Sequence, residues 1–122
     1  MTIRSIRGAT TVEENTKEAI KEATVELLSE ILAKNPITKE DISHVIFTLT
    51  KDVNADFPAK FARIELGFDD VPMICSNEIE VPNALPMCIR VLMVVNTDLS
   101  QKEINHIYLR EAKKLRPDLN SK

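Results

Sequence analysis

The fold is decided by the stretch Met87-Cys88-Ile89-Arg90-Val91-Leu92-Met93-Val94-Val95-Asn96, a nearly all-apolar run that contains one permanent positive charge. A run of this length, rich in Val and Ile, predicts a strand that is buried on both faces, or at least lies in the middle of a sheet. Arg90 is the anomaly, because a guanidinium without a partner is costly inside a core. We expect its head group to meet a carboxylate, a bound anion or water, or to form a structural ion pair.

Length and composition predict a globular chain with a single domain over residues 1–122. The 122 residues are enough to bury a core without a metal or disulfide, and the hydrophobic content of 43% excludes a disordered chain. The net charge of -3 and the five aromatic residues argue against nucleic-acid binding. No secretory signal or membrane span is apparent, so we expect a cytosolic protein with Cys75 and Cys88 reduced.

Apolar periodicity predicts a mixed α/β chain. Strands are predicted at 3–9, 44–50, 71–79 and 87–96, and Gly8 permits a close backbone approach or a bulge. Helices are predicted after the capping box at 11–14 as far as Asn35-Pro36, over 59–66, and after the capping box at 100–103 to about Lys114, with a short helical turn after Thr38. Residues 116–122 are expected to form a mobile tail unless they dock. Helices should pack against one sheet, and another subunit could cover a remaining sheet face.

The chain lacks the usual catalytic motifs. It has no G-x-S-x-G, no H-E-x-x-H and no glycine-rich phosphate loop, and we expect His44 and His106 to be surface or capping groups. Cys75 could be a nucleophile, but its apolar neighbours favour a structural or hydrogen-bonding role. No metal site is predicted.

Five cations and one acid remain as candidates for a binding site. Each cation alone is typical of a solvated charge, but together they could hold a small polycarboxylate, with the acid accepting from a hydroxyl. Such a site suits binding, or a reaction accelerated by positioning and charge stabilisation alone. The set comprises Arg7, Lys60, Arg63, Arg90 and Arg116, with Glu78 as the acid.

Several separated blocks resemble the monofunctional chorismate mutases of the Bacillus type, in the right order over essentially the whole chain. The blocks are Arg7-Gly8-Ala9-Thr10-Thr11-Val12-Glu13, Phe57-Pro58-Ala59-Lys60, Cys75-x-x-Glu78, Cys88-Ile89-Arg90-Val91 and Leu115-Arg116-Pro117-Asp118-Leu119. The resemblance implies a homotrimer with a mixed-sheet pseudo-barrel, helices outside, and active sites between subunits. It also implies the Claisen rearrangement of chorismate to prephenate, on the way to phenylalanine and tyrosine, without a cofactor.

The resemblance also implies roles for individual residues. Arg90 would donate to the ether oxygen, and Arg7 would hold a substrate carboxylate, with Tyr108 as a further donor. Glu78 would accept from the ring hydroxyl, and Cys75 would contact the same region. The remaining pocket residues would form its walls and its cationic mouth: Phe57, Ala59, Lys60, Arg63, Met73, Ile74, Leu115 and Arg116.

Two positions depart from the family pattern. Ile74 stands where the family has a threonine, and Asn83-Ala84 replaces paired glycines before the Arg90 strand. The first change affects substrate orientation if the pocket uses the hydroxyl, and the second affects the local turn. Two alternative functions are a trimeric enamine/imine deaminase and a non-catalytic sensor of a carboxylate metabolite, although the blocks around Cys75 and Arg90 argue against the deaminase.

Overall fold

One mixed five-stranded sheet forms the centre of the computed structural model, which describes residues 2–116. The strands are β1 (Thr2–Thr11), β2 (Ile42–Leu49), β3 (Met73–Asn77), β4 (Cys88–Thr97) and β5 (Ile107–Tyr108), in the order β3-β2-β4-β1-β5. β4 pairs antiparallel with β1 and β2, whereas β3 and β5 add parallel at the two edges. The predicted mixed sheet, with the stretch 87–96 at its middle, is confirmed.

β4 is fully buried on one face only. From Ile89 onward, buried residues alternate with half-buried ones along the strand, and Arg90 belongs to the half-buried set. Burial on both faces is therefore wrong within one chain, although the central position in the sheet is right.

Two helices cover one face of the sheet. They are α1 (Lys17–Lys34) and α2 (Pro58–Leu66), and their inward residues join a single core cluster with the buried residues of β4. The helical spacing predicted for α1 is confirmed, since the following residues are buried: Ile20, Ala23, Leu27, Leu28 and Ile31. Gly8 lets α1 approach closely, because a Cβ there would lie 3.0 Å from Ile31 Cδ1 and 2.9 Å from Val91 Cγ1.

The start of α1 differs from the prediction. The capping box at 11–14 is wrong, because β1 continues to Thr11 and pairs there with Cys88. The N-cap is Thr16, whose hydroxyl accepts from the Ala19 amide at 3.1 Å. α1 ends at Asn35, as predicted.

The remaining helical predictions near residues 38 and 59–66 hold. The short turn after Thr38 spans Lys39–Asp41, with the Thr38 amide donating to the Asp41 carboxylate at 2.8 Å. α2 has Pro58 in its first turn and ends at Gly67, which is left-handed with φ 71°.

The predicted last helix is wrong. Ser100 does donate its amide to Glu103 at 2.8 Å, but the turn spans only Gln101–Glu103. The chain then forms β5 and a six-residue 3₁₀ segment, Arg110–Leu115. This part of the chain is bound to β1, since the Leu109 amide donates to the Ala9 carbonyl at 2.9 Å. Most of the predicted tail, residues 117–122, lies outside the described residues.

Within residues 2–116, neither helix combines the length and the apolar character that crossing a membrane requires.

Candidate active site

One sheet face is turned away from α1 and α2, and we call it the open face. A Cβ at Gly8 would point at α1, so its strand neighbours Arg7 and Ala9 point to the other side. The strand register then shows which residues of each neighbouring strand lie on this face. The open face carries Ile3, Arg7, Ile46, Thr48, Ile74, Arg90, Leu92 and Val94.

Arg90 lies at the centre of the open face, between Ala9 on β1 and Thr48 on β2. Its Nε is 3.5 Å from Glu78 Oε2, within ion-pair range. Within residues 2–116 this buried Nε has no hydrogen-bond partner. A buried, incompletely satisfied donor is available to a ligand oxygen.

The chain around β3 holds Glu78 beside Arg90. The Glu78 amide donates to the Leu49 carbonyl at 2.9 Å, which extends the β2–β3 pairing by one residue. The Thr48 hydroxyl also donates a short hydrogen bond to the Glu78 carboxylate. One carboxylate oxygen, Oε2, therefore accepts from the neutral Thr48 hydroxyl and also lies within ion-pair range of Arg90.

Cys88 contacts Arg90 from the same strand. Burial raises the pKa of the Cys88 thiol, although a hydrogen bond from Arg90 opposes the shift. The thiol therefore stays neutral near pH 7 and does not compete with Glu78 for the positive charge of Arg90.

Tyr108 closes one end of the open face. It packs with Ala9, Cys88 and Ala112, and Leu115 contacts the same cluster. The side chain is only 4% exposed, and its hydroxyl is buried without a hydrogen-bond partner within residues 2–116. A phenol in this state is suited to donate to a bound ligand.

Arg7 is exposed on the open face, where it pairs with Leu92, two residues after Arg90 on β4. Its backbone amide donates to His106 Nδ1 at 2.9 Å, which joins β1 to the chain before β5. Arg7 and Arg90 therefore present two cations on one face.

A second set of predicted site residues lines a cleft of about 600 Å³ between α2 and β3. Met73 and Cys75 alternate with Ile74 along β3, so they face α2, whereas Ile74 is on the open face at the edge of the cleft. The predicted residues in this cleft are Phe57, Ala59, Lys60, Arg63, Met73, Ile74 and Cys75.

The cleft carries Lys60, Arg63 and Asp69 among its charged residues and the neutral Cys75 thiol on β3. Lys60 is paired with Asp56 at 3.0 Å, and the amide of Phe57 and the ammonium of Lys60 lower the pKa of Asp56. Burial raises the pKa of Cys75, with the Ala59 amide opposing the shift. Cys75 is thus a neutral wall of the cleft near pH 7, not an activated thiolate.

The structure therefore divides the predicted site residues into two groups. Arg7, Glu78, Arg90 and Tyr108 form the open-face group, and the 3₁₀ segment that follows Tyr108 ends at Leu115, next to the half-buried Arg116. The cleft residues, except Ile74, occupy the opposite side of the sheet. The two groups therefore face opposite sides of the sheet within one chain.

The family model described as "Chorismate mutase type I" matches residues 3–119 of this chain. The chain belongs to the chorismate mutase type I family. A curated relative named chorismate mutase AroH from Thermus thermophilus is 51% identical over 120 residues, covering 98% of each chain. Chorismate mutase AroH from Bacillus subtilis is 45% identical over 120 residues, covering 98% of this chain and 94% of the relative.

A solved structure agrees with these sequence comparisons. A chorismate mutase from Clostridium thermocellum superimposes with a TM-score of 0.88 at 49% identity, covering 91% of this chain and 98% of the other. The chain is thus an isomerase that converts chorismate to prephenate, an activity of aromatic amino acid biosynthesis. The deaminase and sensor alternatives are not favoured.

Sequence reasoning missed two residues that contact the candidate site residues. Thr48 donates to Glu78, and Cys88 hydrogen-bonds with Arg90. Cys88 is two residues before Arg90 on one strand, so the period of two already placed both side chains on one side. No local sequence pattern identifies Thr48, because its position opposite Arg90 depends on the register between β2 and β4.

The turn before β4 contains Asn83-Ala84, where the resemblance predicts paired glycines. Asn83 is left-handed with φ 67°, a conformation that asparagine adopts more readily than most residues.

Among residues 2–116, no group of three or more His, Cys, Asp or Glu side chains is arranged to hold a metal ion.

Proposed function

We propose that this chorismate mutase assembles each active site from two copies of the chain, within a homotrimer. The open-face group of one copy, with Arg7, Glu78, Arg90 and Tyr108, would meet the cleft group of its neighbour. The observation that carries the proposal is the separation of the two groups by the sheet. A site that uses both groups needs a second copy.

Exposed apolar surface supports such an assembly. Ile3 and Ile74 on the open face are 63% and 62% exposed, and Phe57 at the cleft is 65% exposed. Apolar surface of this kind favours association. Because the open face and the cleft are different surfaces, their contact is head-to-tail, and a head-to-tail contact that closes forms a ring such as a trimer.

Charge supports the substrate assignment. Chorismate carries two carboxylates, and each group contributes exposed cations: Arg7 on the open face, and Lys60 and Arg63 at the cleft. Cations around a partly enclosed site attract a dianion and orient its carboxylates. Cleft walls at Phe57 and Met73 would restrict the substrate to its folded diaxial conformer.

Arg90 would stabilise the transition state. Negative charge grows on the ether oxygen as the carbon–oxygen bond breaks, and the buried Nε of Arg90 offers a donor held in place by Glu78. A donor that is stronger in the transition state than in the ground state accelerates the reaction, and removing one typically costs about 3–4 kcal/mol. Glu78 would also accept from the ring hydroxyl of the substrate.

Arg90→Lys tests this role. We expect the variant to keep its fold and bind prephenate, while turnover falls at least ~100-fold, because a point charge does not reproduce the planar guanidinium. Turnover is followed by loss of chorismate absorbance, and prephenate is verified by its conversion in acid to phenylpyruvate. Prephenate affinity is measured by calorimetry. Unchanged turnover contradicts the role given to Arg90.

Solution mass tests the trimer separately. Light scattering should give three times the chain mass of 13.8 kDa, and a monomer that turns over chorismate contradicts the shared site. The cytosolic location and the single domain over 1–122 stay predictions.

A further inference from the structure

Residues 107–115, which we call the strap, carry two of the proposed substrate contacts, Tyr108 and Leu115. The strap crosses the end of the open face, and it begins with β5, which pairs in parallel with β1 at Gly8 and Ala9. The Leu109 amide donates to the Ala9 carbonyl at 2.9 Å, and the Glu111 amide donates to the Thr11 hydroxyl at 3.3 Å. The position of the strap depends on side-chain contacts as well.

Arg110 supplies polar side-chain contacts between the strap and α1, beside the apolar packing of Ile107 and Leu109 on the core cluster. Its Nε donates to Glu26 Oε1 at 3.2 Å, and a second nitrogen lies 3.9 Å from Glu22 Oε1. Its Nη1 also donates to the Thr11 carbonyl at 3.2 Å. One guanidinium thus joins the strap, the end of β1 and two turns of α1.

The backbone of Arg110 is in an unfavourable conformation. Its φ is 54°, in the left-handed region that residues with a Cβ rarely adopt. Such a conformation persists only where the surroundings impose it. The surroundings here include the three contacts of the guanidinium, together with the hydrogen bonds of the Leu109 and Glu111 amides to β1. Loss of the guanidinium contacts should therefore let the backbone at residue 110 relax more readily and move the strap.

We propose that Arg110 is a positioning residue: by binding Glu22 and Glu26 of α1, it keeps the strap docked so that Tyr108 and Leu115 are in place for substrate. The inference rests on the proposed function, in which these two side chains contact chorismate. A strap that is docked only part of the time weakens apparent substrate binding by the docked fraction. Saturating substrate selects the docked state, so the effect falls on KM and not on kcat.

Arg110→Gln and Glu26→Gln test the proposal from the two sides of the contact. We expect KM for chorismate to rise about fivefold in each, with kcat within a factor of two, because partly exposed ion pairs shift such equilibria modestly. Glu26→Gln leaves the backbone of the strap untouched, so it separates the contact from the left-handed conformation. Arg110→Lys should recover part of the KM change. Lys114→Gln, which removes one charge from the same strap, is the control, since Lys114 is 72% exposed and pairs with Glu111 inside the strap.

Tyr108 provides a readout that does not depend on turnover. It is the only tyrosine, and the chain has no tryptophan, so intrinsic fluorescence reports the strap alone. We expect acrylamide to quench Tyr108 at least twofold more effectively in Arg110→Gln than in wild type, and saturating prephenate to restore the wild-type value.

Unchanged quenching in both Gln variants overturns the proposal, whatever KM does. Increased quenching at wild-type KM also overturns the positioning role. In that case the KM of Tyr108→Phe shows which claim has failed. A wild-type KM in Tyr108→Phe means that Tyr108 does not contact substrate as proposed. A raised KM in Tyr108→Phe means that the contact exists and that only the role of Arg110 has failed.

Discussion

Replacing Gly8 by alanine should destabilise the protein, because α1 packs directly on this residue. A Cβ at Gly8 would lie 2.9 Å from Val91 Cγ1, 3.0 Å from Ile31 Cδ1 and 3.1 Å from Leu27 Cδ1, all shorter than ordinary contacts. Val91 is stiff because it is β-branched, and Ile31 and Leu27 are at most 1% exposed, so none of them has free space to move into.

The expected cost follows from two opposing effects. Overpacking in a close-packed core costs about 1–3 kcal/mol. Alanine also reduces the freedom of the unfolded chain, which offsets about 0.4–1 kcal/mol. Taking the middle of each range, we expect the free energy of unfolding to fall by about 1.3 kcal/mol.

Urea unfolding of wild type and Gly8→Ala at one protein concentration measures this difference, with the slope m unchanged. Gly67→Ala is the control, because its Cβ would meet only the end of the flexible Lys39 side chain and its cost comes from φ 71°. A Gly8→Ala variant as stable as wild type refutes the packing argument. We also expect kcat/KM to fall in Gly8→Ala, since a displaced β1 moves Arg7 relative to Arg90.

Two further predictions concern buried polar groups. Asn35→Ala should lower the free energy of unfolding by about 2–4 kcal/mol in urea, because the buried amide donates to the Ile31 and Asn105 carbonyls at 3.0 Å each and accepts from the Asn105 amide at 2.9 Å; a loss below about 1 kcal/mol contradicts this. Burial raises the pKa of Cys88 in the folded state, so its contribution is intact below the unfolded thiol pKa and is lost as pH rises above it. Wild type should therefore lose more stability than Cys88→Ala between pH 8 and about pH 10 in urea titrations, and equal losses contradict the burial argument.

The parts of the fold that were predictable are those with a local cause. α1 follows from apolar residues at helical spacing, and α2 ends at Gly67 because glycine accepts the left-handed conformation. β4 follows from its long apolar run.

The last predicted helix failed because a capping box fixes only one turn. After Glu103 the chain does not continue as a helix but pairs with β1, where the Leu109 amide donates to the Ala9 carbonyl. These residues are about a hundred positions apart, so no local pattern contains that information.

The candidate site residues were named through family resemblance and stay predictions, and the resemblance did not say which of them lie on which side of the sheet. Cys75 and Glu78 are three residues apart, and in an extended chain such a spacing places side chains on opposite faces. The sheet register extends that division to Arg90 on one side and to the cleft at Met73 on the other.

Mixing two inactive variants tests the shared active site most directly. Arg90→Met removes the open-face donor, and the double variant Lys60→Glu, Arg63→Glu reverses two exposed charges at the cleft. If each site takes one group from each of two neighbouring copies, random mixed assemblies formed by co-expression should have about a quarter of their sites intact and recover about a quarter of wild-type activity. Activity no higher than that of the two variants measured separately would contradict a site shared between copies.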